Sequence, residues 1–207
     1  MTKQLYPAFV FLGAPGSGKG TQGRALGSVP QLFHCACGDV FRSLDTTSKL
    51  GKKFVEHSTK GELVPDELTV ELWSAQIDNW EETHAYRPDV DILLLDGIPR
   101  NLEQARMLQD HVEVHGVFHL SCPDRSKLAE RMRRRALKEN RMDDASEETI
   151  QHRIKTYEEE TKPIVDFYGQ DQIINIDAMQ APLKVLNDIV QEIIKTDVWI
   201  DRSHRPF

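Results

Sequence analysis

Three groups of residues could act on phosphate. The first is GAPGSGKGT, residues 13 to 21. Backbone N–H groups can converge on an anion only where no Cβ intervenes, and Gly13, Gly16 and Gly18 remove it. A helix that follows turns its N-terminus toward the same point. Lys19 adds a cation that can reach the outer phosphates of a polyphosphate. The spacing from Gly13 to Gly18-Lys19 is that of a phosphate loop, except that Gly20 stands where a Ser or Thr hydroxyl would meet Mg²⁺. Thr21 comes one residue late. A magnesium ion here must rest on ligand oxygens, waters and distant carboxylates, which suits an ion that keeps several waters.

The second group is DGIPR, residues 96 to 100. It ends the most apolar run of the chain, and in a parallel sheet that edge is where ligands bind. Asp96 can orient metal-bound water, and Arg100 can fork onto a phosphate. The third group is RMRRR, in which Arg131 and Arg135 are four apart and Arg133 and Arg134 lie between them. Like charges at that spacing repel mildly on a helix. The cluster therefore faces an anion, or else forms a solvated basic face or an RNA patch. Arg141 and Arg153 follow from a loop and a helix. The eight histidines show no metal-ligand pairing with the three cysteines, so no role is given to any of them.

These groups need elements to position them. AFVFL (8–12), LFHC (32–35), DILLLDG (91–97), GVFHLSC (116–122) and QIINID (172–177) read as five strands. Continuous apolar runs without alternation suit a parallel sheet covered on both faces. Helices are expected over 20–27, 66–81, 101–112, 124–139, 146–168 and 181–195. The second begins at Pro65 and Asp66 and carries Leu68, Leu72 and Trp73 on one side. Asp144 with Glu147 caps the fifth, and Pro163 kinks it. The tail TDVWIDRSHRPF shows no pattern. Trp73, Trp80 and Phe167 are expected in the core or at an interface rather than as base-stacking platforms. Strand–helix alternation of this kind implies an α/β sandwich with right-handed crossovers.

Composition narrows the classes. The chain has 207 residues, enough for one domain, and its net charge of −7 argues against general nucleic-acid binding. No apolar run approaches the roughly 20 residues needed to cross a bilayer. The short apolar N-terminal stretch reads as the first strand rather than a signal peptide, because cleavage would destroy the loop. Cys35, Cys37 and Cys122 form no disulfide framework and no zinc pattern, as expected of a cytoplasmic protein.

GAPGSGKGT together with GDVFR (38–42), GELVPDE (61–67), DGIPRNLEQA (96–105) and RMDDASEETIQHR (141–153) resembles the adenylate kinase family of nucleoside monophosphate kinases. The motifs come in the family's order over nearly the whole chain. The resemblance implies a P-loop NTPase three-layer α/β sandwich with a five-stranded parallel sheet. It implies a single domain over 1–207, with a helical segment that binds the monophosphate at about 37–67 and a short lid at about 135–146. It implies phosphoryl transfer from Mg·ATP to AMP, with ATP, AMP and ADP as partners, and a monomer without nucleic acid or membrane.

Site residues follow from the same resemblance. Gly16, Ser17, Gly18, Lys19, Gly20, Thr21, Arg131 and Gln180 are expected on the ATP. Cys37, Arg42, Glu62, Leu63, Val64, Gly97, Ile98, Pro99, Arg100, Gln104, Arg141 and Arg153 are expected on the AMP. Lys19, Arg100, Arg135, Arg141 and Arg153 are the catalytic set, and Asp96 reaches the metal through water. Asp143 and Asp144 orient lid arginines or, for Asp144, cap a helix. The chain also departs from the family. Cys37 replaces a Thr or Ser, Ala136 and Asn140 replace lid glycines, and Asn101 is more typical of UMP/CMP kinases. Gln104 is the residue expected for AMP. A UMP/CMP kinase and a non-catalytic nucleotide sensor remain the alternatives. A switch-type GTP hydrolase is disfavoured by Gly20 and by the lack of an N-K-x-D motif.

Overall fold

Every apolar run becomes a strand. The computed structural model describes residues 5–139 and 146–205. The strands are β1 (Tyr6–Leu12), β2 (Leu32–Ala36), β3 (Ile92–Asp96), β4 (Val112–Ser121) and β5 (Ile173–Asp177). All neighbours are parallel, in the order β2-β3-β1-β4-β5. Ile92, Leu93, Leu94 and Leu95 of β3 are all fully buried. Such a strand must be covered on both faces, which is why its sequence shows no alternation.

Ten helices are described around this sheet: α1 (Lys19–Leu26), α2 (Cys37–Arg42), α3 (Lys49–Lys60), α4 (Asp66–Glu82), α5 (Leu102–Leu108), α6 (Arg125–Glu139), α7 (Glu147–Thr156), α8 (Ile164–Tyr168), α9 (Pro182–Ile193) and α10 (Asp197–Ser203). Successive strand residues point to opposite faces. Val10, Leu93 and Leu95 therefore pack with Trp73 and Ile77 of α4 and Leu108 of α5. Phe9, Phe11, Ile92 and Leu94 pack with Leu26 of α1 and Val185 and Ile189 of α9. The result is a three-layer sandwich. A third cluster joins Leu128, Ala129 and Met132 of α6 to Ile150 and Ile154 of α7 and to Ala14, beside the glycine loop.

Several helices differ from expectation. In α4 the buried stripe is Thr69, Val70, Trp73 and Ile77, while Leu68 and Leu72 pack only partly against the core. The cap of α7 is Ser146, whose Oγ accepts the Thr149 N–H at 3.1 Å. Ser146 directly precedes the first helical turn and so displaces the expected Asp144, which lies outside the described residues. The long helix expected over 146–168 breaks before Pro163. A π-helical turn over Tyr157–Thr161 separates α7 from α8, with Lys162 N–H donating to Tyr157 O at 2.9 Å. Pro163 has no N–H to donate to the carbonyl four residues back, and the wider turn absorbs the register change.

Asp197–Ser203 of the tail form α10, where no pattern was visible. This helix is anchored by Val198 and Trp199, which pack on the core cluster of α1 and α9, and by a polar contact. Arg202 is only 7% exposed and donates to Asp91 O at 2.7 Å. Gln31 Nε2 in turn donates to Arg202 O at 2.7 Å. Helix α6 continues through Arg135 and Ala136 to Glu139. Asn140, Arg141, Asp143 and Asp144 lie outside the described residues. Among the described residues no helix is long and apolar enough to cross a membrane.

Candidate active site

The glycine loop leaves the C-terminal end of β1 and enters α1. Gly13, Gly16 and Gly18 all take positive φ, at 146°, 85° and 105°. Gly16 shows why a side chain is excluded. A Cβ there would lie 2.7 Å from Leu128 O of α6, in a backbone region that L-residues adopt at a cost. Ser17 Oγ is buried with no hydrogen-bond partner among the described residues. Lys19 opens α1, and its Nζ donates to Gly13 O at 2.6 Å and Ala14 O at 3.2 Å. Enclosure of this ammonium lowers its pKa to about 8. Asp96 opposes that shift, while Arg100, Arg135 and Arg153 reinforce it.

Asp96 ends β3 beside the loop. Burial favours its neutral form, but the hydrogen bond from His34 and the charges of Lys19 and Arg100 outweigh it and hold the carboxyl below its ordinary range. His34 Nε2 lies 3.4 Å from Asp96 Oδ2. The imidazole fits because α1 is bare at Gly23, where a Cβ would fall 2.2 Å from His34 Nε2. No role was expected for His34; the glycine at position 23, facing β2, was the signal. At Gly20 a Cβ would stand 3.4 Å from Asp96 Oδ2, so the residue that lacks the usual hydroxyl lies against this carboxylate.

A cleft of about 580 Å³ opens over these groups. Gly16, Ser17, Gly18, Lys19, Gly20, Thr21, Asp96, Gly97, Pro99 and Arg100 line its floor. Arg100 is fixed by its Nε donating to Gly97 O at 2.8 Å, and its own carbonyl accepts the Thr161 hydroxyl at 2.5 Å. One wall carries Cys37, Arg42, Glu62, Leu63, Val64 and Gln104. Burial raises the Cys37 thiol to about 11, against the pull of Arg100, so it faces the cleft as a neutral, weak donor. Arg42 Nη2 donates to Asp39 Oδ1 at 2.5 Å, and Glu62 meets His57 Nδ1 at 3.2 Å. Ile98 is fully buried and packs in the core behind the wall.

Arg131, Arg134, Arg135, Arg153 and Gln180 also line the cleft. Arg131 Nη1 donates to Ala178 O at 3.0 Å and reaches Gly16 O at 3.5 Å. The basic run therefore divides. Arg131, Arg134 and Arg135 line the cleft, with Arg134 also paired to Glu130 at 2.5 Å, whereas Arg133 lies off it and pairs with Glu147 at 2.6 Å. Gln180 Nε2 is shared between Asp177 O and Asp188 Oδ2. Arg141 lies outside the described residues.

A parallel sheet whose C-terminal edge bears a phosphate loop, with arginines on the facing helices, defines a nucleotide-binding phosphotransferase of the P-loop class. The family model described as adenylate kinase matches residues 11–173. The chain is 35% identical over 175 residues to an adenylate kinase of Corynebacterium urealyticum, covering 82% of this chain and 89% of that one. It is 34% identical over 198 residues to one of Trichodesmium erythraeum, covering 90% and 97%. It is 36% identical over 177 residues to one of Thermobifida fusca, covering 82% and 89%. The chain belongs to the adenylate kinase family.

The loop geometry makes Gly16 the most sensitive position. Left-handed strain of about 1–2 kcal/mol, added to the contact with Leu128 O, is expected to weaken inorganic tripolyphosphate binding by Gly16→Ala about tenfold or more. Calorimetric titration checks this, with the thermal midpoint confirming that the variant is folded.

Proposed function

We propose that this chain catalyses the reversible transfer of a phosphoryl group from Mg·ATP to AMP, giving two ADP. The observation that carries the reading is the convergence of Lys19, Arg100, Arg135 and Arg153 on one cleft between the glycine loop and Gln104. Phosphoryl transfer asks little covalent chemistry of a protein and much positioning and charge stabilisation. The acceptor phosphate is already an anion, so no general base is required.

In this reading the loop residues Gly16 to Thr21 hold the donor phosphates, with Arg131 and Gln180 on the nucleoside side. Lys19 leaves the carbonyls of Gly13 and Ala14 for the phosphate oxygens. Arg42 and Arg100 orient the acceptor phosphate, and Arg135, Arg141 and Arg153 balance charge on the equatorial oxygens. Cys37, Leu63, Val64 and Gln104 enclose the acceptor base. Gly97 and Pro99 shape the floor, Ile98 backs it, and Glu62 edges it. The segments at about 37–67 and 135–146 close to exclude water, which would otherwise divert the phosphoryl group.

Magnesium enters with ATP. Among the described residues no group of three or more ligating side chains could form a resident cage. The residues present do fit an ion brought by the nucleotide. Asp96 is ionised and lies close to Gly20, so it can orient metal-bound waters. Bound there, the ion neutralises charge on the phosphate oxygens. The enzyme is read as a cytoplasmic monomer.

The alternatives lose their footing. Asn101, which pointed to pyrimidine kinases, caps α5 and bonds Asp66. Cys37, the one hint of a sensor, leaves every cation of the cleft in place. A coupled assay with AMP, UMP and CMP tests the reading. Transfer to AMP is expected, and Lys19→Met should lower it by at least about 10²–10³ while the protein stays folded. Absence of transfer to AMP overturns the proposal.

Lys19 also sets a pH dependence. Its pKa of about 8 in the free protein rises when phosphate oxygens replace carbonyls as its partners. ATP binding above that pH therefore takes up a proton, and affinity falls toward a limit of about tenfold per pH unit between pH 8 and 10. Calorimetry in buffers of different ionisation enthalpy should show the uptake in the wild type and its loss in Lys19→Met.

A further inference from the structure

The carboxamide of Gln104 is held by two neighbours of opposite hydrogen-bonding character. Its Oε1 accepts the Arg100 backbone N–H at 2.8 Å. Its Nε2 donates to Asp66 Oδ1 at 2.8 Å. A backbone N–H can only donate and a carboxylate can only accept, so the pair admits one orientation of the amide. Turning it over would set oxygen against the Asp66 carboxylate and NH₂ against the Arg100 N–H. Two hydrogen bonds would be lost at a side chain that is 1% exposed, where unpaired polar groups are costly.

The lock is built into the start of two helices. Asp66 is the first residue of α4, and Asn101 is the N-cap of α5. Asn101 Nδ2 donates to the same Asp66 Oδ1 at 2.8 Å, while its Oδ1 accepts the Gln104 backbone N–H at 2.9 Å. Asp66, Asn101 and Gln104 thus form a closed ring that leaves none of the three amide or carboxylate orientations arbitrary. Gln104 lines the cleft, whereas Asp66 and Asn101 do not.

By inventory, one N–H on Nε2 and one acceptor site on Oε1 remain for a ligand. Fixed in that sense, they match a ring nitrogen that accepts beside an exocyclic amine that donates. A ring N–H beside a carbonyl presents the reverse pattern. We propose that Asp66, acting with the Arg100 N–H, is a positioning residue that sets discrimination for a 6-amino over a 6-oxo purine monophosphate. The inference rests on the acceptor reading given above.

AMP and IMP test it, because they are nearly isosteric and differ in this hydrogen-bonding edge. With saturating Mg·ATP, the wild type should favour AMP strongly in kcat/KM. Asp66→Ala should lower the AMP/IMP ratio about tenfold or more, with KM for ATP unchanged. Asp66→Asn, which keeps an accepting oxygen, should retain most of the ratio. A wild-type ratio in a folded Asp66→Ala overturns the proposal, as does a wild type that does not distinguish the two. Neutron diffraction from the perdeuterated wild type reads the lock without turnover. Deuterium on Gln104 Nε2 directed at Asp66 supports it, and the opposite orientation refutes it. A wild type that transfers nothing to AMP refutes the acceptor reading instead, and the neutron result still decides the lock.

Discussion

The cleft depends on how one cation is held. The Lys19 ammonium is enclosed against two loop carbonyls; its removal from water favours the neutral form, and Asp96 is the counter-charge that resists this. Removing a charge from water is expensive unless partners replace the water. Lys19 therefore rests at a compromise, stabilised by carbonyl dipoles and a carboxylate and opposed by Arg100, Arg135 and Arg153. A bound polyphosphate improves that balance for every cation at once. These four cations already line one cleft, and the exchange of Lys19 from carbonyls to phosphate completes the arrangement that electrostatic stabilisation of a transferring phosphoryl group requires.

The fold supplies this arrangement in layers. Parallel pairing brings the ends of β1 and β3 to one sheet edge, so the loop and Asp96 come together from residues about 80 apart in sequence. Asp96 stays aimed at the loop because His34 of the next strand holds it, and His34 fits because α1 is bare at Gly23. Behind the acceptor wall a second set of constraints runs through Asp66, Asn101 and Gln104. The two halves meet at Arg100, whose side chain is fixed by Gly97 and whose backbone N–H holds Gln104.

Much of this was legible in the sequence, for physical reasons that differ by element. The strands could be read because burial on both faces leaves continuous apolar runs. The loop could be read because its chemistry needs glycines at fixed spacing. The part played by Asp66 in the network around Gln104 could not be read, since its hydrogen bonds join residues 35 and 38 apart and no local pattern marks them. Asn101 looked like a specificity signal, and its contacts make it a helix cap. His34 looked idle, because its partner lies 62 residues away. Helix α10 escaped because the adjacent pair Val198 and Trp199, a buried arginine and a glutamine hold it, and together they make no helical apolar stripe. The cap of α7 was misplaced from Ser146 onto Asp144 because both residue types cap equally well.

The central claim is that Lys19 trades loop carbonyls for phosphate while the acceptor base meets Gln104. A crystal structure with a bisubstrate dinucleotide, two adenosines joined through a phosphate chain, tests both halves at once. The account predicts Lys19 Nζ on phosphate oxygens and away from Gly13 O, with one adenine hydrogen-bonded to Gln104. A Lys19 ammonium still on Gly13 O, or an acceptor adenine bound elsewhere, would contradict it.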